Sequence, residues 1–279
     1  MLGEQTWINS LATFGHATNN KAELPLINHY HKDKLEFVIV VDGIQRYTAS
    51  DVSYTLYGGD VFFTLPNEIH SSGQNPQSVN EILWFQIDVA TTNSFLDLPE
   101  REAIHLYNRL INFSARQFPL SRRFINLFLE SFELLSNNNV SDKIKGHSLF
   151  IYCLVSMLES EATVQTLTED IDAAKQYILT HIKEMIDMDE LLGVSGLSVS
   201  RFKEKFKEQI GLSPREFINS TKIEKAKVKV ALTKESITDI AFEYSFSSSN
   251  YFCVVFKQFT GYSPKEFRRK YLKGKLSLN

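Results

Sequence analysis

The spacing of hydrophobic residues divides the chain into a β-type part and a helical part. Between residues 24 and 90, short runs rich in Val, Ile, Phe and Tyr are separated by turn residues such as Asp42-Gly43 and Pro66-Asn67. Runs spaced about ten residues apart are typical of an antiparallel sandwich or barrel. We therefore predict four strands, over Leu35–Val41, Tyr54–Leu56, Val61–Leu65 and Ile82–Val89.

From about residue 100 to residue 161 the apolar residues recur every three or four positions, which predicts helices. The run Asn137-Asn138-Asn139 divides this region into helices over residues 121–136 and 144–160. We expect one apolar side of each helix to pack on the strands. The residues concerned are Phe124, Leu127, Phe128, Phe132, Phe150, Leu154 and Leu158.

A further change in composition suggests the domain boundaries. Residues 161–170 are mostly small and polar, as in a linker, and the chain from Ile171 onward has helical spacing. We expect a first domain over residues 1–160, a linker over 161–170 and a second domain over 171–279. The fold class is α+β, with an N-terminal β-barrel that carries appended helices and an all-α C-terminal domain.

The helical domain contains an internal repeat with a period of 50 residues. Nine of twenty compared positions are identical, whereas chance would give about one, so this unit is duplicated. The identical pairs are Ser198/Ser248, Phe202/Phe252, Phe206/Phe256, Lys207/Lys257, Gly211/Gly261, Ser213/Ser263, Pro214/Pro264, Glu216/Glu266 and Phe217/Phe267.

Each copy carries start and stop signals for consecutive helices. Serine can cap a helix N-terminus, and an acidic residue three positions later completes a capping box. The predicted caps are Ser198 and Ser247 or Ser248, with capping boxes at Ser213–Glu216, Ser236–Asp239 and Ser263–Glu266. Gly211 and Gly261 stand where a helix should end in a left-handed residue.

A short helix followed by a longer one is the order of a helix-turn-helix, whose second helix enters the major groove of DNA. The alternative is a helical repeat for protein contacts, but solenoids usually need three or more copies. Residues 172–279 carry 19 Lys and Arg against 13 Asp and Glu, while residues 1–171 carry 11 against 20. This asymmetry favours a polyanion-binding domain, although Lys-rich helices can also be merely well solvated.

The second copy resembles the signature of the AraC/XylS family of transcription regulators. The matching residues are Ile240-Ala241, Phe246-Ser247-Ser248, Tyr251-Phe252, Phe256-Lys257, Gly261, Ser263-Pro264 and Phe267-Arg268. The resemblance covers about residues 172–271 strongly and residues 25–160 more loosely. Three positions depart from the family: Ser245 replaces a turn glycine, Val254 replaces an Arg, and Glu204 occupies the corresponding place in the first copy.

The resemblance implies that the exposed faces of two recognition helices contact DNA bases. The matching positions are Ser200, Lys203 and Glu204 in the first helix and Ser249, Asn250 and Cys253 in the second. Lys207, Lys257 and Arg268–Lys270 are candidates for phosphate contacts. Glu204 could accept from cytosine and Val254 could pack on a thymine methyl group; alternatively, the second helix binds with little sequence preference. A helix over residues 214–232 would hold the two recognition helices in successive major grooves.

The N-terminal domain resembles the cupin superfamily. His29, His31, Glu36 and Gly43 match its first motif; Gly59, Pro66 and His70 match its second, with altered spacing and Gln74 in place of Asn. In metal-binding cupins such positions supply three His and one Glu to Fe, Mn or Zn, which would make His29, His31, Glu36 and His70 a divalent-metal site. The alternative is that they hydrogen-bond one another or a ligand at the barrel mouth, without a cofactor.

The resemblance also implies a small effector in the barrel interior. The expected lining comprises His29, His31, Glu36, Arg46, Tyr47, Tyr57, His70 and Trp84. Aromatic faces would stack on a sugar and Arg would hold a hydroxyl or carboxylate, so the effector is expected to be a carbohydrate or another metabolite. Similar regulators are homodimers through the helices at 121–136 and 144–160 and activators that work with RNA polymerase; a monomer with a covered apolar stripe is the alternative.

Other features narrow the class of protein. No apolar run approaches the roughly 18 residues that span a bilayer, and the first twenty residues lack the order of a secretory signal. Cys153 and Cys253 do not make a disulfide framework and suit a reducing cytoplasm. We expect a cytoplasmic, non-enzymatic DNA-binding regulator; a metal-dependent cupin enzyme with an accessory DNA-binding tail is the alternative.

Overall fold

The computed structural model describes residues 6–20, 23–73, 77, 79–160 and 167–273. The chain separates into two compact units by its internal contacts. The first comprises Met1–Thr18, Ile27–Ser71 and Asn80–Gln165, and the second comprises Asn19–Leu26, Ser72–Val79 and Thr166–Asn279. The fold is mixed, as predicted, with a sheet in the N-terminal part and helices in the C-terminal part.

The strands of the described residues form a seven-stranded sheet. They are β1 (Leu11–Asn19), β2 (Lys34–Ala49), β3 (Val52–Tyr57), β4 (Asp60–Thr64), β5 (His70–Ser71), β6 (Asn80–Asp88) and β7 (Gln117–Pro119). The hydrogen-bonded order is β1-β6-β2-β4-β7, while β3 and β5 pair with β2. The four strands predicted from the sequence are confirmed, although β2 continues well beyond Val41.

Strand β2 changes partners along its length, which folds the sheet back on itself. Its first half pairs antiparallel with β4 and β6 and its second half with β3 and β5, and the register shifts between Val40 and Asp42. A bulge of this kind bends and twists a strand. Tyr47, in the second half, stacks on Phe62 of β4 with ring centroids 4.7 Å apart. The two halves of β2 therefore enclose an interior between them.

The opposite face of the sheet carries the hydrophobic core of the first unit. Alternate residues of β2 are buried there against α2 (Arg122–Ser136) and α3 (Val140–Ser160), and α1 (Glu100–Ile111) completes this layer. The core residues from β2 are Leu35, Phe37, Ile39 and Val41, and those from the helices include Phe128, Phe150, Leu154 and Leu158. The expected packing of the two helices on the strands is confirmed. Because side chains alternate along a strand, Glu36 and Val38 face the enclosed interior.

Seven helices of the described residues follow in the second unit. They are α4 (Glu169–Thr180), α5 (Met188–Ser195), α6 (Val199–Ile210), α7 (Pro214–Leu232), α8 (Ile237–Glu243), α9 (Ser249–Thr260) and α10 (Pro264–Leu272). Helix α4 begins inside the stretch 161–170, and residues 161–166 of that stretch lie outside the described residues. The linker and domain bounds therefore stay a prediction. No described helix combines the length and apolar character needed to cross a membrane.

Most of the predicted helix signals are present. Ser213 and Ser263 form capping boxes with Glu216 and Glu266. Gly211 ends α6 with a φ of 76°, and Gly261 ends α9 with a φ of 75°, the left-handed conformation that glycine adopts without steric cost.

Two of the predicted caps differ in detail. Ser198 occupies the N-cap of α6, but its side chain makes no capping hydrogen bond. Ser236 accepts from the Asp239 amide at 3.0 Å, but its own hydroxyl donates to the Asp239 carboxylate at 2.7 Å. In a capping box the Asp239 carboxylate would instead accept from the backbone amide of Ser236. In the second copy the cap is Ser248, which accepts from the Tyr251 amide.

Candidate DNA interface and effector site

Helices α5 and α6 form one helix-turn-helix, and α8 and α9 form the other. Each longer helix buries one side: α6 buries Phe202, Phe206 and Ile210, and α9 buries Phe252, Val255, Phe256 and Thr260. Helix α7 has the predicted bounds and packs on the second helix-turn-helix through Ile223, Ala226 and Val230. The opposite sides of α6 and α9 are thereby left as two candidate recognition faces.

The candidate face of α6 contains all four residues predicted for it. Ser200, Lys203, Glu204 and Lys207 are exposed at spacings of three and four, so they lie along one side of the helix. Glu204 pairs with Arg201 at 3.0 Å, and both side chains are largely exposed. An exposed pair of this kind contributes little to stability, so both groups are available to a ligand. The sequence reasoning did not single out Arg201, although its position three residues before Glu204 signals the pair.

The candidate face of α9 is less charged and partly engaged. Asn250 and Lys257 are exposed, whereas Ser249 and Cys253 are half-buried. Ser249 Oγ lies 3.3 Å from Thr238 Oγ1 of α8. Val254, which stands in place of the family's Arg, is 66% exposed. This face therefore offers an apolar group and an amide to a base edge and has one cation, Lys257, near its end.

Arg268 does not lie free on either face. Its Nε donates to the Val230 carbonyl at 2.8 Å and its Nη2 to the Glu235 carbonyl at 2.8 Å. These bonds tie α10 to the end of α7 and to the loop that follows. The predicted phosphate contact at Arg268 thus competes with a structural role, because two of its donor groups are already used within the protein.

In the first unit, the structure brings together the three predicted histidines and the predicted glutamate. The main chains of His29 and His70 exchange hydrogen bonds of 3.0 and 2.9 Å. Potential ligand atoms of His29, His31 and His70 all lie within 4.8 Å of one another. Glu36 adjoins them, with one carboxylate oxygen 3.2 Å from His31 Nε2 and the other 3.2 Å from His70 Nε2. We call these four residues the histidine cluster.

Backbone carbonyls fix the orientation of two imidazoles in the histidine cluster. His29 Nδ1 lies 2.9 Å from the Ile27 carbonyl, and His70 Nδ1 lies 3.0 Å from the Glu68 carbonyl. Each Nδ1 must therefore donate, which leaves Nε2 as the free nitrogen of a neutral ring. His70 Nε2 is buried and does not meet hydrogen-bond geometry with any group of the described residues, despite its short distance to Glu36. At metal sites, an imidazole typically donates one ring N–H to a carbonyl and turns its other nitrogen, which has no partner within the protein, toward the ion.

Electrostatics in the histidine cluster favours a cation between the carboxylate and the imidazoles. Burial opposes ionisation of Glu36, but contacts from His31, His70 and Gln86 outweigh it and lower the pKa of Glu36 to about 2. Burial also opposes protonation of His70, but Glu36 and the Glu68 carbonyl raise the pKa of His70 above its ordinary value. For His29, burial dominates and lowers the pKa. The ionised Glu36 can thus be balanced by a proton on His70 or by a metal ion.

A salt bridge that the sequence reasoning missed holds the loop before His70. Both oxygens of Glu68 accept from Arg116, and Glu68 also accepts from the Leu65 amide at 3.0 Å and from Ser50 Oγ at 2.8 Å. The Glu68 carbonyl in turn orients His70. No local sequence signal identifies this contact, since 48 residues separate Glu68 from Arg116.

The other predicted lining residues divide between two faces. Tyr47 is buried in the interior, where burial raises its pKa, and Trp84, opposite Val38, lies on the same interior face. Arg46 pairs with Thr55, and Tyr57 pairs with Ile44. Because side chains alternate along a strand, Arg46 and Tyr57 lie on the face of the sheet opposite to that of Tyr47. Interior amide groups add polar lining that the sequence reasoning missed: Asn80 Nδ2 donates to Gln45 Oε1 at 2.7 Å, and Gln86 Nε2 donates to Glu36 at 2.9 Å.

Comparison with protein families agrees with both halves of this description. The AraC-like ligand binding domain matches residues 22–154, and a helix-turn-helix domain matches residues 192–270. The chain belongs to the AraC/XylS family, with an N-terminal ligand-binding domain and a C-terminal helix-turn-helix domain.

Three individual proteins resemble the chain at sequence identities between 16% and 27%. The HTH-type transcriptional activator RhaS of Enterobacter sp. (strain 638) is 25% identical over 247 residues, which cover 86% of this chain and 87% of RhaS. An uncharacterized HTH-type transcriptional regulator of Staphylococcus aureus (strain MRSA252) is 27% identical over 89% of this chain but only 28% of its own length. The chain thus spans less than a third of that relative. A crystal structure of ToxT from Vibrio cholerae O395 is 16% identical, covers 93% of this chain and 98% of that one, and has a TM-score of 0.36.

Proposed function

We propose that the protein is a sequence-specific DNA-binding transcription regulator, acting as an activator, whose DNA affinity responds to a small molecule bound in the N-terminal interior. The observation that carries the proposal is the pair of helix-turn-helix units joined by α7, each with a buried side and an exposed polar side. Two such helices, fixed by one connecting helix, suit successive major grooves on one side of a duplex.

Salt dependence tests the DNA-binding part of the proposal. Binding to the promoter beside its own gene should weaken by about 10³-fold or more between 50 and 200 mM salt if six or more phosphates are neutralised. Fluorescence anisotropy with a labelled promoter fragment measures this slope, and random DNA of the same length serves as the reference. A flat salt response would contradict DNA binding.

Two lysines of α6 separate base reading from phosphate binding. Lys203→Ala should reduce discrimination between promoter and random DNA by about 1–3 kcal/mol if Lys203 contacts a guanine. Lys207→Ala, one turn further along the same exposed side, should weaken binding to both DNAs alike. Equal losses on both DNAs for Lys203→Ala would reassign that residue to the backbone.

The effector is proposed to be a polar metabolite, with a carbohydrate as the leading class. Supporting this, the interior combines aromatic faces, Tyr47 and Trp84, with the side-chain amides of Gln45, Asn80 and Gln86, and such amides can bond several ligand hydroxyls. A correct effector raises the melting temperature by mass action, because it binds only the folded chain. Thermal-shift screening of sugars and metabolites, followed by the anisotropy assay with each hit, tests both the class and its effect on DNA binding.

The histidine cluster fits a divalent metal, with His29, His31, His70 and Glu36 as its ligands. The orphaned Nε2 of His70 supports the fit. A metal held there would polarise an effector oxygen that reached it. Protein purified without chelators or a polyhistidine tag should contain one metal ion per chain, and His70→Gln should lose it while the exposed His105→Gln retains it. Substoichiometric metal would contradict the proposal and leave the cluster as a hydrogen-bonded group.

The proposed assembly is a homodimer through α3. Beyond the side that packs on the sheet, α3 exposes Val140 (70%), Ile144 (58%) and Tyr152 (49%) at multiples of four residues, along one stripe. Ile144→Glu should shift sedimentation velocity from dimer to monomer, while Lys145→Glu, on the neighbouring exposed position, should not. A monomeric wild-type chain at micromolar concentration would refute the interface. Contact with RNA polymerase stays an expectation from the family.

The alternative of a cupin enzyme with a DNA-binding tail draws on the same histidine cluster. It predicts turnover by the metal-loaded chain, whereas the regulator predicts saturable effector binding without turnover. The free cysteines Cys153 and Cys253 fit our expectation of a reducing cytoplasm under either function.

A further inference from the structure

A second candidate ligand site lies within the DNA-binding unit. A cavity of about 380 Å³ opens between the start of α5, the first half of α7 and the turn before α9. Its apolar wall includes Met185, Met188, Ile218 and Phe246, and its polar edge is formed by groups of α7 and α9. Cavities that bind small molecules have about this volume and the same combination of an apolar wall with a few polar groups.

The cavity contains a buried cation that lacks an acidic partner. Lys222 is only 5% exposed, and its Nζ donates to the Glu184 carbonyl at 3.0 Å and lies 5.8 Å from the centre of the Phe246 ring. No carboxylate of the described residues pairs with it. Lys227, which is also buried on α7, pairs with Glu224 at 3.0 Å. A buried ammonium group without a counter-charge is costly, and burial accordingly lowers the pKa of Lys222.

A second cation stands at the edge of the same cavity. Arg215 Nη2 and Asn219 Nδ2 donate to the Tyr251 hydroxyl at 3.1 and 3.2 Å. Arg215 likewise has no carboxylate partner within the described part of the chain. The acidic residue on the wall, Asp187, is occupied, because its side chain accepts from the Glu190 amide and caps α5. Two cations, Lys222 and Arg215, stand against this one carboxylate among the lining residues, so the net charge of the lining is positive.

We propose that this cavity binds an amphiphilic monocarboxylate, with its carboxylate between Lys222 and Arg215 and its hydrocarbon part against Met185, Met188 and Ile218. The anion supplies the counter-charge that Lys222 lacks, and the apolar wall removes the chain from water. This site is separate from the effector site in the N-terminal interior and does not depend on that proposal.

Methionine-methyl NMR of the full chain tests the proposal, with sodium decanoate as the probe. The chain has four methionines, of which Met185 and Met188 line the cavity and Met157 is buried in the first unit. Decanoate below its micelle concentration should shift the Met185 and Met188 signals saturably and leave Met157 in place. The affinity for uncharged 1-decanol should be lower by a factor of about ten or more, because decanol cannot supply the negative charge. Equal shifts at Met157, no saturable shift, or equal affinity for decanol would overturn the proposal.

A charge-removing variant assigns the carboxylate contact. Lys222→Gln keeps a donor for the Glu184 carbonyl and removes the cation, so decanoate affinity should fall about tenfold. Lys225→Gln, an exposed lysine on the same helix, is the matched control and should bind as the wild type does. Unchanged affinity in Lys222→Gln contradicts the proposed geometry. If Lys222→Gln does not fold, the exposed Arg215→Gln decides instead: weakened decanoate binding supports the site and wild-type binding refutes it.

Discussion

In the turn of the second helix-turn-helix, Ser245 replaces the family's glycine, so backbone strain and a side-chain hydrogen bond can be compared at one residue. Its φ of 51° lies in the left-handed region, which costs a residue with a Cβ about 1 kcal/mol relative to glycine. Its hydroxyl donates to the Lys183 carbonyl at 2.6 Å, and such a bond contributes a net of about 1 kcal/mol. The hydrogen bond is therefore expected to offset the backbone strain.

Two substitutions at this position separate the two contributions. Ser245→Gly removes both the strain and the hydrogen bond, so the local free energy of unfolding should change by less than about 0.5 kcal/mol. Ser245→Ala keeps the strain and loses the hydrogen bond, so it should destabilise the turn by about 1 kcal/mol. Neither replacement can make the hydrogen bond, so the difference between Ala and Gly measures the net backbone preference for glycine at this φ.

Amide hydrogen exchange of α8 and α9 measures this local stability, and it avoids the assumption that a chain with two units unfolds in one step. Matched exchange rates in the Ala and Gly variants would refute the strain argument. A loss well above 1 kcal/mol in the Gly variant would show that the bond to Lys183 outweighs the strain. That bond joins the turn after α4 to the second helix-turn-helix, as does the ion pair of Lys183 with Glu243 at 2.8 Å.

Three further substitutions have expected outcomes. Gly15→Ala would place a Cβ 2.3 Å from the Trp84 ring, so we expect a loss of about 1–3 kcal/mol in chemical denaturation and a changed near-ultraviolet circular dichroism spectrum; an unchanged spectrum would show that the ring does not lie on Gly15. A Cβ added at Gly193 in α5 has no neighbouring atom within 4 Å. Gly193→Ala should therefore stabilise that helix by about 0.5–1 kcal/mol in hydrogen exchange, whereas Gly15→Ala destabilises the protein. Ser263→Ala removes the capping box with Glu266 and should cost α10 about 1 kcal/mol; exchange rates in α10 equal to those of the wild type would contradict the role of the cap.

Much of the helical half could be predicted because its signals are local. Helix-stop glycines, the Ser-Pro-x-Glu capping boxes and apolar spacings of three and four act within one or two turns of chain, so the bounds of α7 and the ends of α6 and α9 follow from neighbouring residues. The repeat then identified two equivalent units. The same local reasoning predicted four strands, because period-two burial is also a short-range pattern.

The contacts of individual side chains depended on residues far apart in the chain. Arg268 belongs to a basic run in the sequence, but α7 ends where its carbonyls can accept from that guanidinium. Arg46 and Tyr47 are neighbours in the sequence, and strand pairing placed them on opposite faces. Lys222 is one of several lysines on α7, and only packing against the second helix-turn-helix shows that it is buried beside a cavity.

The amino-acid order alone is enough to show that this chain joins an antiparallel β unit to a duplicated helix-turn-helix unit, because periodicity and capping involve nearby residues and the repeat is a direct match between two stretches of the sequence. Which polar groups come into contact depends on the three-dimensional fold. The bulge in β2, the exchange of backbone bonds between His29 and His70, and the Glu68–Arg116 salt bridge together bring Glu36 against the imidazoles. These contacts join residues that lie tens of positions apart in the sequence, and no local sequence pattern predicts them.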